Sequence, residues 1–203
     1  MKNKKHLTVV DFQNDFVSPN GALTFDNGKG DKNLIQRVAD FFRQLPIGYF
    51  AHATVTLDTH NEDTYFQTQE GKLFPIHCVE GSHGWHLAIP SDLITSKIAD
   101  IQFLRKNTYD MWEATIDSVK AHMTNTAQEV VLFGVASDIC NKAALKGWLD
   151  RGHHVTVLED LTRGIFKQTA EVVQEEPFKT AIQHGHLRIT TARKFLERIY
   201  QRG

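Results

Sequence analysis

The sequence predicts a single-domain α/β fold of the doubly wound kind, a mainly parallel sheet flanked by helices in three layers. Three observations predict it. Short runs of β-formers alternate along the chain with segments whose apolar residues recur at helical spacing. Several of those runs end in ionisable residues, as strands do where open parallel sheets build their sites. The chain has 203 residues, 41% of them hydrophobic, enough for one proper core. No internal repeat, low-complexity segment or linker divides it, so residues 1–203 read as one domain.

The elements follow in order. Residues 6–10 form a first strand that runs into Asp11-Phe12-Gln13-Asn14-Asp15-Phe16. Glycine, proline and asparagine then mark loops. Leu34, Val38, Phe41, Phe42 and Leu45 recur at helical spacing over residues 31–45. Residues 51–57 form a second strand, ended by Asp58-Thr59-His60. Residues 61–90 are long and weakly periodic, the mark of a functional or flexible loop. Residues 101–104 form a third strand ending in Arg105-Lys106, and residues 109–123 a helix. Residues 129–132 form a fourth strand, followed by a tight turn and a helix with Cys140 in its first turn. Ser137 and Asp138 are the candidate N-caps of that helix. Residues 155–158 form a fifth strand; residues 166–183 read as helical, with Pro177 interrupting or restarting the helix. A short strand at residues 187–189 and a helix at residues 192–200 close the fold.

Composition excludes several function classes. The formal net charge of -1 gives no electrostatic footprint for nucleic acid or a membrane surface. Two cysteines do not make a disulfide framework. The polar start at residues 1–5 leads straight into a strand, so no signal peptide is expected, and no apolar run reaches membrane-spanning length. The expectation is a cytoplasmic protein. No Gly-x-Gly-x-x-Gly follows the first strand, which argues against a dinucleotide-binding dehydrogenase.

The chemistry gathers at the strand ends. Asp11, Asp58 with His60, Lys106, and Cys140 across its turn would lie on one edge of a parallel sheet. A thiol in a first helical turn faces unpaired N–H groups and the positive end of the helix dipole, which favour the thiolate. The same N–H groups suit a developing oxyanion. Cys140 is therefore the best nucleophile candidate, against the plainer reading of a small buried hydrophobe. Asp58, His60 and His77 offer two imidazoles and a carboxylate, a set that suits a divalent transition ion with open positions. Glu70 lies in the intervening loop as a further ligand candidate, equally readable as a solvated acid. Cys78 reads as a small buried residue rather than a ligand or disulfide partner.

Four segments then resemble a known family. Val9-Val10-Asp11-Phe12-Gln13-Asn14-Asp15-Phe16, Asp58-Thr59-His60 with Phe74-Pro75-Ile76-His77-Cys78-Val79-Glu80-Gly81, Lys106, and Gly134-Val135-Ala136-Ser137-Asp138-Ile139-Cys140 are similar, in order and spacing, to the isochorismatase-like cysteine hydrolases. His77 points to the metal-dependent nicotinamidase (pyrazinamidase) branch. The pattern departs from that branch at Asn61, at Ser82 and His83, at Tyr109-Asp110-Met111-Trp112 and at Asn141.

The resemblance implies hydrolysis of nicotinamide to nicotinate and ammonia, in NAD salvage, through a thioester on Cys140. It implies Asp11 as proton acceptor and donor, and Lys106 as the cation that stabilises the thiolate. It implies the Ala136 and Cys140 backbone N–H groups as the oxyanion site, after a cis peptide at Val135-Ala136. It implies a metal held by Asp58, His60 and His77, with zinc, manganese or iron(II) as the ion, and a ring pocket walled by Phe16, Phe74, Tyr109 and Trp112. It implies a small amide as the only substrate partner, and a homo-oligomer. Two alternatives stay open: a related hydrolase of another small amide or ureido compound, and a catalytically silent ligand-binding relative. Retention of the aspartate, lysine and cysteine disfavours the silent relative.

Overall fold

The computed structural model describes residues 5–68 and 70–201. The polar start of the chain, where a signal peptide was not expected, lies mostly outside these residues. Six strands form one wholly parallel sheet: β1 (Lys5–Val10), β2 (His52–Asp58), β3 (Asp100–Lys106), β4 (Glu129–Val135), β5 (His154–Arg163) and β6 (Leu187–Thr190). Their order is β3-β2-β1-β4-β5-β6. This is the doubly wound arrangement the alternating sequence predicts. The winding direction reverses between β1 and β4, and the crevice at their carboxyl ends is where such folds place a site.

The nine helices of the described residues are α1 (Asn14–Val17), α2 (Lys32–Gln44), α3 (Asp92–Thr95), α4 (Met111–Ala114), α5 (Asp117–Thr126), α6 (Cys140–Asp150), α7 (Thr169–Val172), α8 (Phe178–Gln183) and α9 (Ala192–Gln201). Two short 3-10 turns, Tyr65–Gln67 and Glu70–Lys72, interrupt the long segment after β2. α2, α3 and α9 pack on one face of the sheet, where Val9, Val55 and Phe133 meet Phe41 and Phe42. α4 and α6 pack on the other face with α8, where Leu132 and Val157 meet Trp148 and Phe178. Because both faces are covered, β1 and β4 are nearly wholly buried, with His6 and Thr8 the buried polar members of β1. Each large apolar side chain so buried contributes roughly 1.5–3 kcal/mol.

Two predicted helices divide. The one expected at residues 109–123 becomes α4 and α5, because Thr115 and Ile116 are both extended. Thr115 turns its hydroxyl back to the Met111 carbonyl at 2.6 Å, a local bond that competes with helix propagation. The one expected at residues 166–183 becomes α7 and α8, with Pro177 at the N-cap of α8, where its missing N–H costs nothing.

The end of β4 is pressed onto the end of β1. Gly134 has φ +131°, and a Cβ there would lie 2.1 Å from the Val10 carbonyl oxygen. Only glycine fits. The β4–β5 register shifts at this point, so that Gly134 pairs with Thr162 and Val135 with Arg163. The Val135-Ala136 peptide is cis, as the resemblance implied.

α2 starts where predicted. Asp31 accepts from the Leu34 N–H at 2.9 Å and meets Arg163 Nη1 at 2.7 Å, tying the helix to β5. Burial pushes its carboxyl up, but the Leu34 N–H and Arg163 outweigh this and hold it below the usual range. A carboxyl with a depressed folded value stabilises above its unfolded value, about pH 3.9, and loses that stability as pH falls. Asp31→Ala is therefore expected to cost about 1–2 kcal/mol at neutral pH. In urea unfolding the gap to wild type should narrow as pH drops below about 4.

Candidate active site

The sheet register brings the strand-end residues together. Asp58 and Lys106 are lateral partners at the ends of β2 and β3. Asp11 follows β1 in a left-handed conformation, φ +46°, held by its N–H to the Thr56 carbonyl at 3.2 Å. Its Oδ1 accepts from the Thr56 hydroxyl at 2.6 Å. All three side chains are buried.

Lys106 Nζ lies at their centre. It is 2.7 Å from Asp11 Oδ2, 3.5 Å from Asp58 Oδ1, 3.5 Å from Cys140 Sγ, and donates to the Thr108 carbonyl at 3.0 Å. Burial lowers its proton affinity, but Asp11, Cys140 and Asp58 more than offset that and keep it an ammonium. Burial would raise the Asp58 carboxyl, yet Lys106, His60 and His77 hold it well below the usual carboxylate range. Asp11 goes the other way: burial raises it, Lys106 opposes, and Asp58 adds to the rise.

Cys140 opens α6, buried beside this cluster, with its Sγ 3.5 Å from Lys106 Nζ. Its thiol is not activated as its helix position suggests. Burial pushes the thiol well above its ordinary value, Lys106 only partly compensates, and Asp11 and Asp58 push it higher still. The resting nucleophile is a thiol. Neither Ser137 nor Asp138 caps α6; its N-cap is Ile139, without a side-chain bond. Ser137 donates instead to the Lys167 carbonyl at 2.8 Å. The Asp138 carboxylate accepts the N–H groups of Ile165, Phe166 and Lys167 at 3.0, 2.7 and 2.9 Å. Both residues brace the turn against the loop after β5. Among the hydrogen bonds of the described residues, the backbone N–H groups of Ala136 and Cys140 are unengaged.

The metal candidates converge on the far side of Asp58. Asp58 Oδ2 is 2.9 Å from His60 Nε2 and 3.1 Å from His77 Nε2. Both imidazole nitrogens lie 3.5 Å from Glu70 oxygens, so Glu70 is a near-buried member of the set and not a solvated acid. Metal–ligand bonds of ~2.0–2.1 Å place tetrahedral ligands about 3.3 Å apart, so this set fits a divalent transition ion. His77 Nδ1 lies 2.9 Å from the Pro75 carbonyl. With the proton there, Nε2 carries the lone pair, and it is buried without a hydrogen bond. That is the tautomer a metal ligand needs.

Other predicted residues divide. Phe16 sits edge-on to His77 with ring centroids 5.3 Å apart, beside the metal set. Burial raises the Tyr109 phenol to about 12, and Glu70, Cys140 and Asp58 raise it too. Phe74 is half-buried on the loop carrying His77, and its carbonyl accepts from Tyr65 at 3.3 Å. Trp112 is not brought to the site: its ring stands edge-on to Trp148 at 4.8 Å, under Arg151 at 3.8 Å, in the core beside α6. Cys78 is buried and free, as read from the sequence.

Gln13 was not foreseen as a site residue. It is fully buried, donates to the Asp58 and Trp85 carbonyls at 2.8 Å each, and accepts the Asp58 N–H at 2.8 Å. It fixes where β2 ends. The sequence signal was only its place among the amides and acids after β1. Asp15 likewise accepts the Cys78 N–H at 2.7 Å and anchors the loop next to His77.

A doubly wound sheet with a buried aspartate, lysine and cysteine at its switch point, beside a four-residue metal-binding set, defines a metal-binding cysteine hydrolase. The isochorismatase domain family matches residues 5–179. The nicotinamidase of Saccharomyces cerevisiae is 31% identical over 79% of this chain and 88% of its own. The structure of Pyrococcus horikoshii pyrazinamidase in complex with zinc is 25% identical, covers 93% of this chain and 99% of its own, and has a TM-score of 0.69. The Bacillus subtilis nicotinamidase structure, 21% identical over 92% of this chain and 99% of its own with a TM-score of 0.73, shares the fold. The chain belongs to the isochorismatase-like superfamily, in its nicotinamidase and pyrazinamidase branch.

Removing the central cation tests the electrostatics. Lys106→Met leaves Asp11 and Asp58 buried without it, and breaking a buried pair by deleting one partner costs about 3–5 kcal/mol. Urea unfolding should register a loss of that size.

Proposed function

We infer that this protein is a nicotinamidase, converting nicotinamide and water to nicotinate and ammonia. One observation carries the reading: Asp58 is shared, one oxygen toward the Lys106, Asp11 and Cys140 cluster and the other toward the His60, His77 and Glu70 set. One carboxylate thereby joins the nucleophile's cluster to the residues that would hold a metal. The name of the Saccharomyces relative supports the substrate.

Asp11 takes the Cys140 proton as Sγ attacks the carboxamide carbon. Lys106, at 3.5 Å from Sγ, offsets the charge on the sulfur as the proton leaves. The free N–H groups of Ala136 and Cys140 would donate to the oxyanion. Asp11 then returns the proton to the departing nitrogen, the C–N bond breaks, and ammonia leaves a thioester. Asp11 takes a proton from water, the hydroxide adds to the thioester carbon, and the C–S bond breaks. The thiol is restored with that proton and nicotinate is released. Burial raises the Asp11 carboxyl above its ordinary value, which suits a group that must both accept and return a proton. Asp58, His60, His77 and Glu70 would hold the ion, which when bound supplies a Lewis acid for the pyridine nitrogen. Zinc is the proposed ion, supported by the zinc-bound Pyrococcus relative and by the nitrogen-oxygen donor set. Phe16 and Tyr109 would flank the ring. The working unit is proposed to be one hydrolase domain spanning the chain, cytoplasmic, with a small amide rather than nucleic acid or a membrane as partner, and assembled as a homo-oligomer. No helix of the described residues is long and apolar enough to cross a membrane.

Ammonia release from nicotinamide tests the reading. Activity is expected, lost on chelation, restored by zinc, and absent in Cys140→Ala of unchanged fold. Metal-loaded protein that releases no ammonia from nicotinamide but does so from another small amide or a ureido compound would overturn the substrate. Wild-type turnover in Cys140→Ala would overturn the mechanism.

A further inference from the structure

The site described above leaves unused a second set of donors at the other end of the sheet. His52 opens β2 and Asp100 opens β3, and the two are lateral partners in the parallel register. His122 reaches them from α5. His52 Nδ1 lies 2.5 Å from Asp100 Oδ2, and His122 Nε2 lies 3.6 Å from the same oxygen. One donor atom from each residue lies within 4.8 Å of the other two. The two imidazole rings meet edge to face, centroids 5.6 Å apart. Asp100 and Lys106 stand at opposite ends of β3, six residues apart, or about 20 Å at ~3.3 Å per residue. The cluster is therefore separate from the catalytic cleft.

We propose that His52, Asp100 and His122 form a second divalent transition-metal site, with zinc as its preferred ion. Two imidazoles and a carboxylate are borderline donors that suit zinc and leave a position for water. Tetrahedral zinc needs donors about 3.3 Å apart. The His122–Asp100 spacing already matches. The His52–Asp100 hydrogen bond must open by less than about 1 Å, which the Asp100 side chain, 52% exposed, can supply. The 3.6 Å His122 contact is too long for a hydrogen bond, so no direct bond joins that imidazole to the carboxylate it faces. The surroundings are rich in histidine. His6 lies beside His52 in register, buried, with Nε2 on the Thr54 hydroxyl at 3.0 Å and Nδ1 without a partner. A metal here would also do mechanical service. α5 buries only Met123, and a bound ion would clip that helix to two strands.

The test is zinc titration by calorimetry, with the wild type and with His60→Ala/His77→Ala, which leaves the catalytic-side set without an imidazole. The expected result is two tight equivalents per chain for wild type and one for His60→Ala/His77→Ala. His122→Ala should lose one equivalent in either background, or bind it at least tenfold more weakly, and Asp100→Asn should do the same. Zinc should raise the melting temperature of His60→Ala/His77→Ala but not of His60→Ala/His77→Ala/His122→Ala. His122→Ala alone should keep full amide hydrolysis. If folded His122→Ala and Asp100→Asn bind as much zinc, as tightly, as wild type, the proposal is overturned. The proposal also fails if wild type binds a single equivalent. Neither failure touches the nicotinamidase reading, which is judged on ammonia release.

Discussion

Lys106 is the interaction on which the rest of the site depends. Its ammonium is buried, a position that costs several kcal/mol unless opposite charge and hydrogen bonds surround it. Asp11, Asp58, the Cys140 sulfur and the Thr108 carbonyl do so, all within 3.5 Å. Each reaches it from a different segment: the ends of β1 and β2, the start of α6 and the loop after β3. The parallel register that aligns Asp58 with Lys106, and the glycine that lets β4 press onto β1, are therefore conditions for the chemistry as well as features of the fold.

The arrangement separates two tasks that one carboxylate links. Asp58 stays ionised because it faces an ammonium on one side and imidazoles on the other. Asp11 is poised at a higher value because burial outweighs its single cation, and this leaves it able to take and return a proton. The thiol is not pre-ionised. Burial holds its proton until a substrate carbonyl is in reach and Asp11 can accept it. Gln13 and Asp15 make no contact with the sulfur, yet they fix the backbone of Asp58 and Cys78, on which both halves of the site stand.

Much of this was legible in the sequence. The strand ends could be read because apolar runs in a doubly wound sheet stop abruptly at polar residues, so Asp11, Asp58 and Lys106 announced one edge. His60 and His77 could be paired because imidazoles near a strand-end carboxylate have few other uses. What escaped depends on three-dimensional partners. Ser137 and Asp138 have the right chemistry for caps, but the loop after β5 offers them backbone groups at closer range. Trp112 is aromatic and correctly spaced for the pocket, yet α6 offers it Trp148 and Arg151. The division of the helix at Thr115 turns on a side chain bonding back to Met111, and the Cys140 thiol on burial that no local pattern reveals.

The central claim is that a buried thiol waits beside Asp11 rather than as a ready thiolate. The direct measurement is the ultraviolet absorbance of the thiolate, taken as the difference between wild type and Cys140→Ala from about pH 5 to about pH 10. The account predicts no thiolate signal from Cys140 at neutral pH, with ionisation setting in above the ordinary cysteine value of about 8.5. A full thiolate signal already present at pH ~7 would contradict it, and would return the activation of Cys140 to the helix end and the Lys106 charge.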